Sequence, residues 1–427
     1  MRRIVIAVSL LTLFAAACTG EEAPQVRPAV DGRASTPTLP SETLLLDTVT
    51  GPLAVQAPSG SILSTFPNAL AGPDGSFVYS AHLDGGTTVL ESLIGATGEE
   101  ASSAEIPGDY RLGVVSGSGR AVALTEPLPA GWDPWTPLPR ETTELVVADP
   151  SGEAEPRTFT LNGNYEPEAF SVDDRTLFLI QHLPALRPEA YRVTTLDLRN
   201  GKVRPAFGPF KSPSERMPGI RLQQLWGSMG DQLYTLYSSA RPGYAPHQAP
   251  VASDAAVSFV HVLDLEEGWA HCVGLPEAMW DRPSALQAMA APPDGSRLFV
   301  VDAGLGLVAV MDTETLQVRT GEIAFGASED VVRTTARMSA DGRSLFVATA
   351  DSSSSEIAVV DVATFEVRDR WSVTGAVTTL GLSPEGDRLY AATDTGIAVI
   401  DAATGRPLGM VPLEAPAEVT EVLPIAA

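Results

Sequence analysis

The sequence predicts an all-β fold, a β-propeller built of four-stranded blades. A self-similar unit recurs along the chain with a period of roughly 40 to 50 residues, which is the period of such blades. Each unit carries a tight turn near its start and an acidic residue near its middle. The two ends of the chain also read as complementary parts of one further unit. These three observations favour a closed ring of blades over a β-sandwich.

The stretch 291–323, APPDGSRLFVVDAGLGLVAVMDTETLQVRTGEI, shows how one unit supplies four strands. An inner strand (a) ends at Pro293-Asp294-Gly295, a turn in which glycine tolerates a positive φ. Residues 298–301 form an apolar run that is too short for a helix and rich in β-forming residues (b). Residues 307–311 make a second core strand (c). Residues 317–323 alternate polar and apolar side chains, as an outer strand (d) would.

Counting the recurring elements predicts eight blades. The turn between strands a and b occurs seven times, as Pro73-Asp74-Gly75, Gly117-Ser118-Gly119, Asp173-Asp174, Met229-Gly230-Asp231, Pro293-Asp294-Gly295, Ala340-Asp341-Gly342 and Pro384-Glu385-Gly386. The acidic residue that closes strand c occurs eight times, as Asp47, Glu91, Asp149, Asp197, Asp264, Asp312, Asp361 and Asp401.

The mismatch between the two counts indicates that the last blade is assembled from both chain ends. The chain opens on TLLLDTVTGPLAVQAP, which reads as a c–d pair, and closes on EVTEVLPIA, which reads as a strand a. Pairing of the two ends would remove the open sheet edges that invite aggregation. Seven blades are the alternative, since strand b of the eighth would have to come from the proline-containing residues 34–39.

The segments SPEGDRLYAA and GIAVIDAATG, between Ser383 and Gly405, resemble the YVTN-type, lactonase-like β-propeller repeat. The resemblance covers most of residues 43–427. It implies the fold and little about function, because such propellers host many unrelated activities. Trp132-Asp133 and Trp280-Asp281 lie in proline-rich loops, so the chain does not resemble a WD-repeat protein.

The first residues predict export. Met1-Arg2-Arg3, an apolar run over 4–14 and three alanines precede Cys18, as in a secretory signal. The Cys18 setting resembles a bacterial lipobox, which implies that residues 1–17 are removed, that Cys18 is lipidated, and that the protein is anchored to the outer face of a bacterial membrane in the cell envelope. Ordinary secretion after Ala17 is the alternative. Residues 18–42 then form a flexible linker to the propeller domain, 43–427.

Charge and cysteine content limit the classes of partner. The chain has 28 basic and 53 acidic residues, a net charge of −25. Such an acidic surface repels phosphate backbones, so nucleic acid is excluded as an expected partner. Besides Cys18 there is one cysteine, Cys272, so no disulfide can form within the chain once Cys18 is lipidated. Cys272 is interpreted as a buried apolar thiol, and we expect a monomer.

Loop lengths predict where a partner would bind. In an antiparallel blade the b–c loops and the d-to-a connections share one face of the ring, here termed the loop face, whereas the a–b and c–d turns share the opposite turn face. The second, third and fourth units have long b–c loops, 127–142, 181–191 and 238–258, and elaborated d-to-a connections, 162–168, 207–219 and 275–284. Aromatic and arginine side chains dominate many interfaces. The predicted partner-binding residues are Trp132, Trp135, Tyr165, Arg187, Tyr191, Phe210, Tyr244 and Trp280.

The sequence therefore favours a binding or scaffold module for an envelope protein, peptide or glycan, acting through the long loops of blades 2–4. The alternative to binding by these residues is that they pack the long loops onto the ring. A lactonase- or quinoprotein-like enzyme with its site at the central channel mouth is the alternative function, and a structural spacer a third. No catalytic residue, metal or cofactor is predicted. His82 and His182 occupy equivalent positions after strand b, but no third metal ligand has suitable spacing.

Overall fold

The computed structural model describes residues 41–48, 51–66, 68–129, 132, 137–206, 216–217, 219–238, 258–280, 282–325, 331–351 and 354–424. Within these residues the strands form eight sheets of four antiparallel strands each. The chain is an eight-bladed β-propeller, which confirms the predicted fold class and the predicted number of blades. Cys18 and the rest of the predicted signal peptide and linker up to residue 40 lie outside the described residues.

Seven blades are continuous in sequence and run a, b, c, d along the chain. Blades 1 to 4 consist of β4 (Ala69–Ala71), β5 (Phe77–Asp84), β6 (Thr87–Ile94) and β7 (Glu100–Pro107); β8 (Arg111–Val115), β9 (Val122–Thr125), β10 (Thr142–Ala148) and β11 (Arg157–Asn162); β12 (Asn164–Phe170), β13 (Thr176–Leu183), β14 (Ala190–Asp197) and β15 (Lys202–Pro205); and β16 (Ile220–Trp226), β17 (Gln232–Ser238), β18 (Ser258–Asp264) and β19 (Trp269–Gly274).

Blades 5 to 7 follow two short 3₁₀ turns, Glu277–Met279 and Ser284–Leu286. They consist of β20 (Gln287–Ala290), β21 (Arg297–Asp302), β22 (Leu307–Asp312) and β23 (Val318–Glu322); β24 (Arg333–Met338), β25 (Ser344–Ala350), β26 (Ser354–Asp361) and β27 (Val367–Thr374); and β28 (Thr379–Leu382), β29 (Arg388–Thr393), β30 (Gly396–Asp401) and β31 (Pro407–Pro412).

The eighth blade joins the chain ends, as predicted, in the order β32 (Glu418–Pro424), β1 (Glu42–Asp47), β2 (Leu53–Ala57) and β3 (Ser61–Thr65). The predicted roles of its N-terminal strands were wrong, because β1 is strand b and β2 and β3 are strands c and d. Asp47 therefore ends strand b, and no strand b is needed from 34–39. β1 was assigned as strand c instead of strand b because it is buried on both faces, a pattern that strands b and c share.

The core of the propeller lies in the seams between neighbouring blades. Eight clusters of buried apolar side chains are found in the described residues, one for each seam of the ring. Phe299, for example, is fully buried in the cluster between blades 5 and 6. Gly295 has a φ of 64°, which confirms the predicted turn. No helix within the described residues is long and apolar enough to span a membrane.

The inner strands of blades 2, 3 and 4 depart from regular pairing. Their registers shift around Gly113 in β8, Glu168 in β12 and Leu222 in β16, so each strand carries one extra residue. The inner strands of blades 5, 6 and 7 pair without a shift, whereas the composite blade has one between Leu45 and Leu46 of β1. A β-bulge redirects side chains and is frequent beside functional sites. Irregular inner strands therefore occur in blades 2, 3 and 4 and also in the composite blade.

Candidate binding site at the inner edge of blades 2 to 4

Charged and polar side chains gather where the inner edges of blades 2, 3 and 4 meet. Strand a of each blade runs from the loop face towards the turn face, and strand b returns. Glu166 lies near the start of β12 and His182 near the end of β13, so both lie towards the loop face. The group, termed the channel-mouth cluster, consists of Arg111 from β8, Glu166 and Glu168 from β12, His182 from β13, and Arg221 and Gln224 from β16.

The two carboxylates of β12 make different contacts. Nε2 of His182 lies 3.2 Å from Oε2 of Glu166, within blade 3. Arg221 donates from Nη1 to Oε2 of Glu168 at 3.1 Å, and Gln224 donates from Nε2 to Oε1 of the same carboxylate at 2.8 Å. Glu168 is thus held from blade 4. These contacts join blades 3 and 4 through polar groups, whereas Phe299 and its neighbours join blades 5 and 6 through apolar ones.

Residues 162–168 were expected to form an elaborated d-to-a loop, and the structure corrects this. β11 ends at Asn162 and β12 begins at Asn164, so Gly163 alone, with a φ of 124°, connects the two blades. Pro167, which cannot donate to a strand ladder, lies within β12. β12 is the inner edge strand of its sheet, so the missing N–H interrupts no ladder and the bulge at Glu168 follows directly.

The charges in the cluster are coupled. Burial raises the pKa of Glu168, an effect that the neighbouring Arg221 opposes. Burial alone would also raise the pKa of Glu166, but the hydrogen bond and charge of His182, with Arg221 and Arg111, outweigh it and lower this pKa to about 2. Burial lowers the pKa of Arg111. Glu166 is therefore ionised at neutral pH, with 33 % of its side chain exposed, and Arg221 is 50 % exposed.

The loops beside the cluster are tied to the start of β12. Arg140, which is 8 % exposed, donates to Oδ1 of Asn164 at 3.1 Å and to the backbone oxygen of Tyr165 at 2.9 Å. The amide of Asn164 donates in turn to the backbone oxygens of Leu138 and Ala185, at 2.8 and 3.1 Å. The end of the blade 2 b–c loop, at Leu138 and Arg140, and Ala185 of the blade 3 b–c loop are thus held against one strand beside the cluster.

Two of the predicted partner-binding residues lie in the core. Tyr165 is buried in the seam between blades 2 and 3, where its hydroxyl accepts a hydrogen bond from Gln181 at 2.9 Å. Tyr191 is buried between blades 3 and 4 and stacks on Tyr237, with 4.9 Å between ring centroids. Both belong to strands, β12 and β14, whose alternation turns these rings towards a neighbouring blade. Neither ring is available at the surface.

Three of the other predicted residues, Trp280, Arg187 and Trp132, lie in loops of the described part of the chain. Trp280 is half-buried and donates from its indole nitrogen to the backbone oxygen of Leu275 at 2.8 Å. The Arg187 side chain is 81 % exposed and pairs with Glu189 at 2.7 Å, next to the exposed Leu186. Trp132 is half-buried, and its backbone N–H donates to the oxygen of Pro129 at 3.0 Å. Trp135, Phe210 and Tyr244 lie outside the described residues.

Sequence reasoning missed most of the channel-mouth cluster. Arg111, Glu166, Glu168 and Arg221 stand in inner strands, which the repeat pattern marks only as core. A usable signal was the pair of glutamates in β12, at positions where β28 of blade 7 has only threonine, leucine and glycine. In the part of the chain that the structure describes, no three His, Cys, Asp or Glu side chains form a metal-binding group.

Comparison with known proteins supports the fold alone. No protein-family model matches the chain. No curated protein sequence matches it either. Among solved structures, apo AztD from Citrobacter koseri superposes with a TM-score of 0.54 at 12 % identity, over 90 % of this chain and 98 % of that one. A second Citrobacter koseri AztD structure gives a TM-score of 0.53 with the same identity and coverage. At this identity the likeness does not extend to function.

Proposed function

We propose that the protein is a binding module that recognises a protein, peptide or glycan of the cell envelope on its loop face, above blades 2 to 4. One observation carries the proposal: the two longest b–c intervals, 126–141 and 239–257, belong to blades 2 and 4, on either side of blade 3 and the channel-mouth cluster. Loops held on a rigid scaffold are the usual place for recognition. The cluster adds an ionised carboxylate on Glu166 and a half-exposed guanidinium on Arg221, which suit a ligand with both donors and acceptors.

The surface residues expected to contact the partner are those with accessible side chains. Leu186 is 56 % exposed beside Arg187 in the b–c loop of blade 3, and Trp132 and Trp280 are partly exposed. The buried Tyr165 and Tyr191 would act indirectly, by holding the blades that carry these loops. We further propose that Cys18 carries a lipid that places the loop face within reach of envelope partners, with residues 18–42 as the tether.

The experiment compares the two faces of the ring. Crosslinked capture from native envelopes would use the wild type, a Leu186→Ala/Arg187→Ala variant, a Trp132→Ala/Trp135→Ala variant, and Met229→Ala as control. Met229 is 83 % exposed in an a–b turn on the opposite face. Loss of one captured species in both loop-face variants, with retention in the control, is expected. Equal capture by all four proteins, or loss in the control alone, would contradict the proposal.

An enzyme at the channel mouth is the second candidate, because a carboxylate and an imidazole, the groups of general acid–base catalysis, lie 3.2 Å apart in the Glu166–His182 pair. This candidate predicts turnover in a panel of lactones and quinones assayed with divalent metals. It further predicts that His182→Gln abolishes this turnover. Turnover with this dependence would replace the binding proposal, whereas capture without turnover in any assay would leave the binding proposal standing.

A further inference from the structure

The seam between blades 3 and 4 holds a second group of side chains, which the proposed function does not use. Sγ of Cys272, in β19, lies 2.8 Å from Sδ of Met217, which precedes β16. His261 of β18 is the direct cross-strand partner of Cys272. Direct partners in an antiparallel pair place their side chains on the same face, with Cβ atoms about 4.5–5.5 Å apart. A thiol, a thioether and an imidazole therefore converge from three segments of the chain.

The backbone holds the thioether in place. Met217 donates from its N–H to the oxygen of Tyr191 at 2.8 Å and accepts from the N–H of Tyr191 at 3.0 Å. These two hydrogen bonds form an isolated antiparallel bridge between β14 of blade 3 and the segment that leads into blade 4. Met217 is only 3 % exposed. Its side chain is thus fixed across the seam, opposite the outer strand that carries Cys272.

The imidazole and the thioether are buried, whereas the thiol is only partly buried. His261 is fully buried, and its ring lies 6.0 Å from that of Tyr237 between centroids. Tyr191, Tyr237 and Phe259 belong to the apolar cluster against which Cys272 packs. Cys272 itself is only partly buried, on the outermost strand of blade 4. Of the three groups, the thiol is therefore the most accessible, since Met217 is 3 % exposed and His261 is fully buried.

We propose that Cys272, Met217 and His261 form a binding site for one monovalent copper ion, Cu(I). Thiolate and thioether ligands select soft ions such as Cu(I), and imidazole suits copper, whereas hard cations prefer oxygen ligands. On binding, the Cys272 thiol releases its proton to solvent and bonds to the ion through sulfur. Met217 and His261 each donate a lone pair. The copper remains Cu(I), and one proton is released for each ion bound.

The neighbouring histidine offers a matched control. His271 precedes Cys272 in β19 but pairs with Val262, so its side chain faces the opposite side of the blade. It is outside the proposed ligand set although it is adjacent in sequence. If any histidine close to the Cys272 thiol could serve as a copper ligand, replacing His271 would weaken copper binding. In the proposed site, replacing His271 has no effect.

The test is a competition titration of the purified, reduced full-length protein under anaerobic conditions, with Cu(I) and bicinchoninate as a chromophoric competitor. The wild type is expected to withdraw one Cu(I) per chain. Met217→Leu, which keeps the side-chain volume, should weaken copper binding by more than about tenfold. Replacing a residue that only orients a metal ligand already weakens metal binding by about 10- to 100-fold, and Met217 would be a ligand itself. Cys272→Ser should abolish binding, and His271→Gln should leave it unchanged. No withdrawal, or equal affinity in all four proteins, would overturn the proposal.

A second measurement needs only the wild type, in case a variant fails to fold. X-ray absorption of the copper-loaded protein should show both sulfur and nitrogen neighbours of copper. A first shell without sulfur would overturn the proposal, because Met217 and Cys272 would then be ordinary core side chains. Met217→Leu should capture the envelope partner as the wild type does, so the copper site and the loop-face function can fail independently.

Discussion

Arg388 and Glu42 form a buried ion pair across 346 positions of sequence. Arg388 donates from Nε and one terminal nitrogen to the two carboxylate oxygens of Glu42, at 3.1 and 2.7 Å. Tyr390 donates to the same carboxylate. Glu42 begins β1, strand b of the composite blade, and Arg388 begins β29 of blade 7. The pair therefore fastens the N-terminal strand to the neighbouring blade at the point where the ring closes.

Arg388→Met is expected to cost about 3–5 kcal/mol of unfolding free energy, because it leaves the buried Glu42 carboxylate without its counter-ion. Arg406→Met, on an exposed arginine of the same blade, should cost no more than about 0.5 kcal/mol. Chemical denaturation of both variants checks this. The Glu42→Gln/Arg388→Met double variant should recover part of the loss. Similar stabilities for Arg388→Met and Arg406→Met would show that ring closure does not depend on this pair.

The core of the blades gives a second prediction. Phe299 is fully buried between blades 5 and 6, so Phe299→Ala should cost about 3–5 kcal/mol of unfolding free energy. Phe77 is 40 % exposed at the start of β5, and Phe77→Ala should cost clearly less. The midpoints of urea unfolding measure both losses, provided that the unfolding free energy of each variant depends on urea concentration as steeply as that of the wild type. A larger loss for Phe77→Ala would mean that the seams do not carry the stability.

The lowered pKa of Glu166 predicts how the unfolding free energy changes with pH. Its pKa is about 2 in the folded protein and 4.5 for an unperturbed glutamate, so its ionised form is stabilised by folding. The corresponding stability is present above about pH 4.5 and is lost as the pH falls towards 2. Between these pH values the wild type should therefore lose more unfolding free energy than Glu166→Gln.

Urea unfolding of the wild type and Glu166→Gln at several pH values between 5 and 2.5 measures this difference. All other acidic groups are common to both proteins, so subtracting the two pH curves removes every contribution that does not depend on Glu166. Parallel curves would mean that Glu166 is not held in its ionised form by His182 and the neighbouring arginines.

The anchor proposal predicts a simple fractionation result. Cys18→Ala should move the protein from the membrane fraction to the soluble fraction, because the acyl chains attached at this residue would be the only link to the bilayer. Cys272→Ala provides the control, since it removes the other cysteine and should leave the protein with the membranes. Metabolic labelling with a radioactive fatty acid should follow the same pattern. A Cys18→Ala protein that still sediments with membranes would exclude a lipid anchor at this position.

Much of the architecture was predictable because it depends on short sequence patterns that recur along the chain. The turn at Gly295 and the buried run that contains Phe299 recur in every continuous blade in some form, and a repeat of this length indicates a ring. Long b–c loops were also visible as long intervals: 126–141 separates β9 from β10, and 239–257 separates β17 from β18. The strand roles in the composite blade were not predictable, since β1 is apolar on both faces and fits strand b or c.

The candidate site was less predictable, because alternation along a strand tells which side a residue faces but not what covers that side. Tyr165 and Tyr191 were placed on the surface and are covered by neighbouring blades. Trp280 was expected to offer its indole to a partner, yet its N–H is bonded to Leu275 within the same loop. The bulge at Glu168 cannot be read from sequence, because it depends on how β12 pairs with β13.

The sequence by itself determined the all-β fold, the number of blades, the closure by the two chain ends and the long b–c intervals of blades 2 and 4. It could do so because each depends on short-range periodicity and on spacing between turns. Only the tertiary structure decided which side chains meet. Glu168 reaches Arg221 across a blade seam, and Cys272 reaches Met217 across the same seam. The physical reason is that such contacts join strands of different blades, whose relative register is set by packing and not by any local pattern.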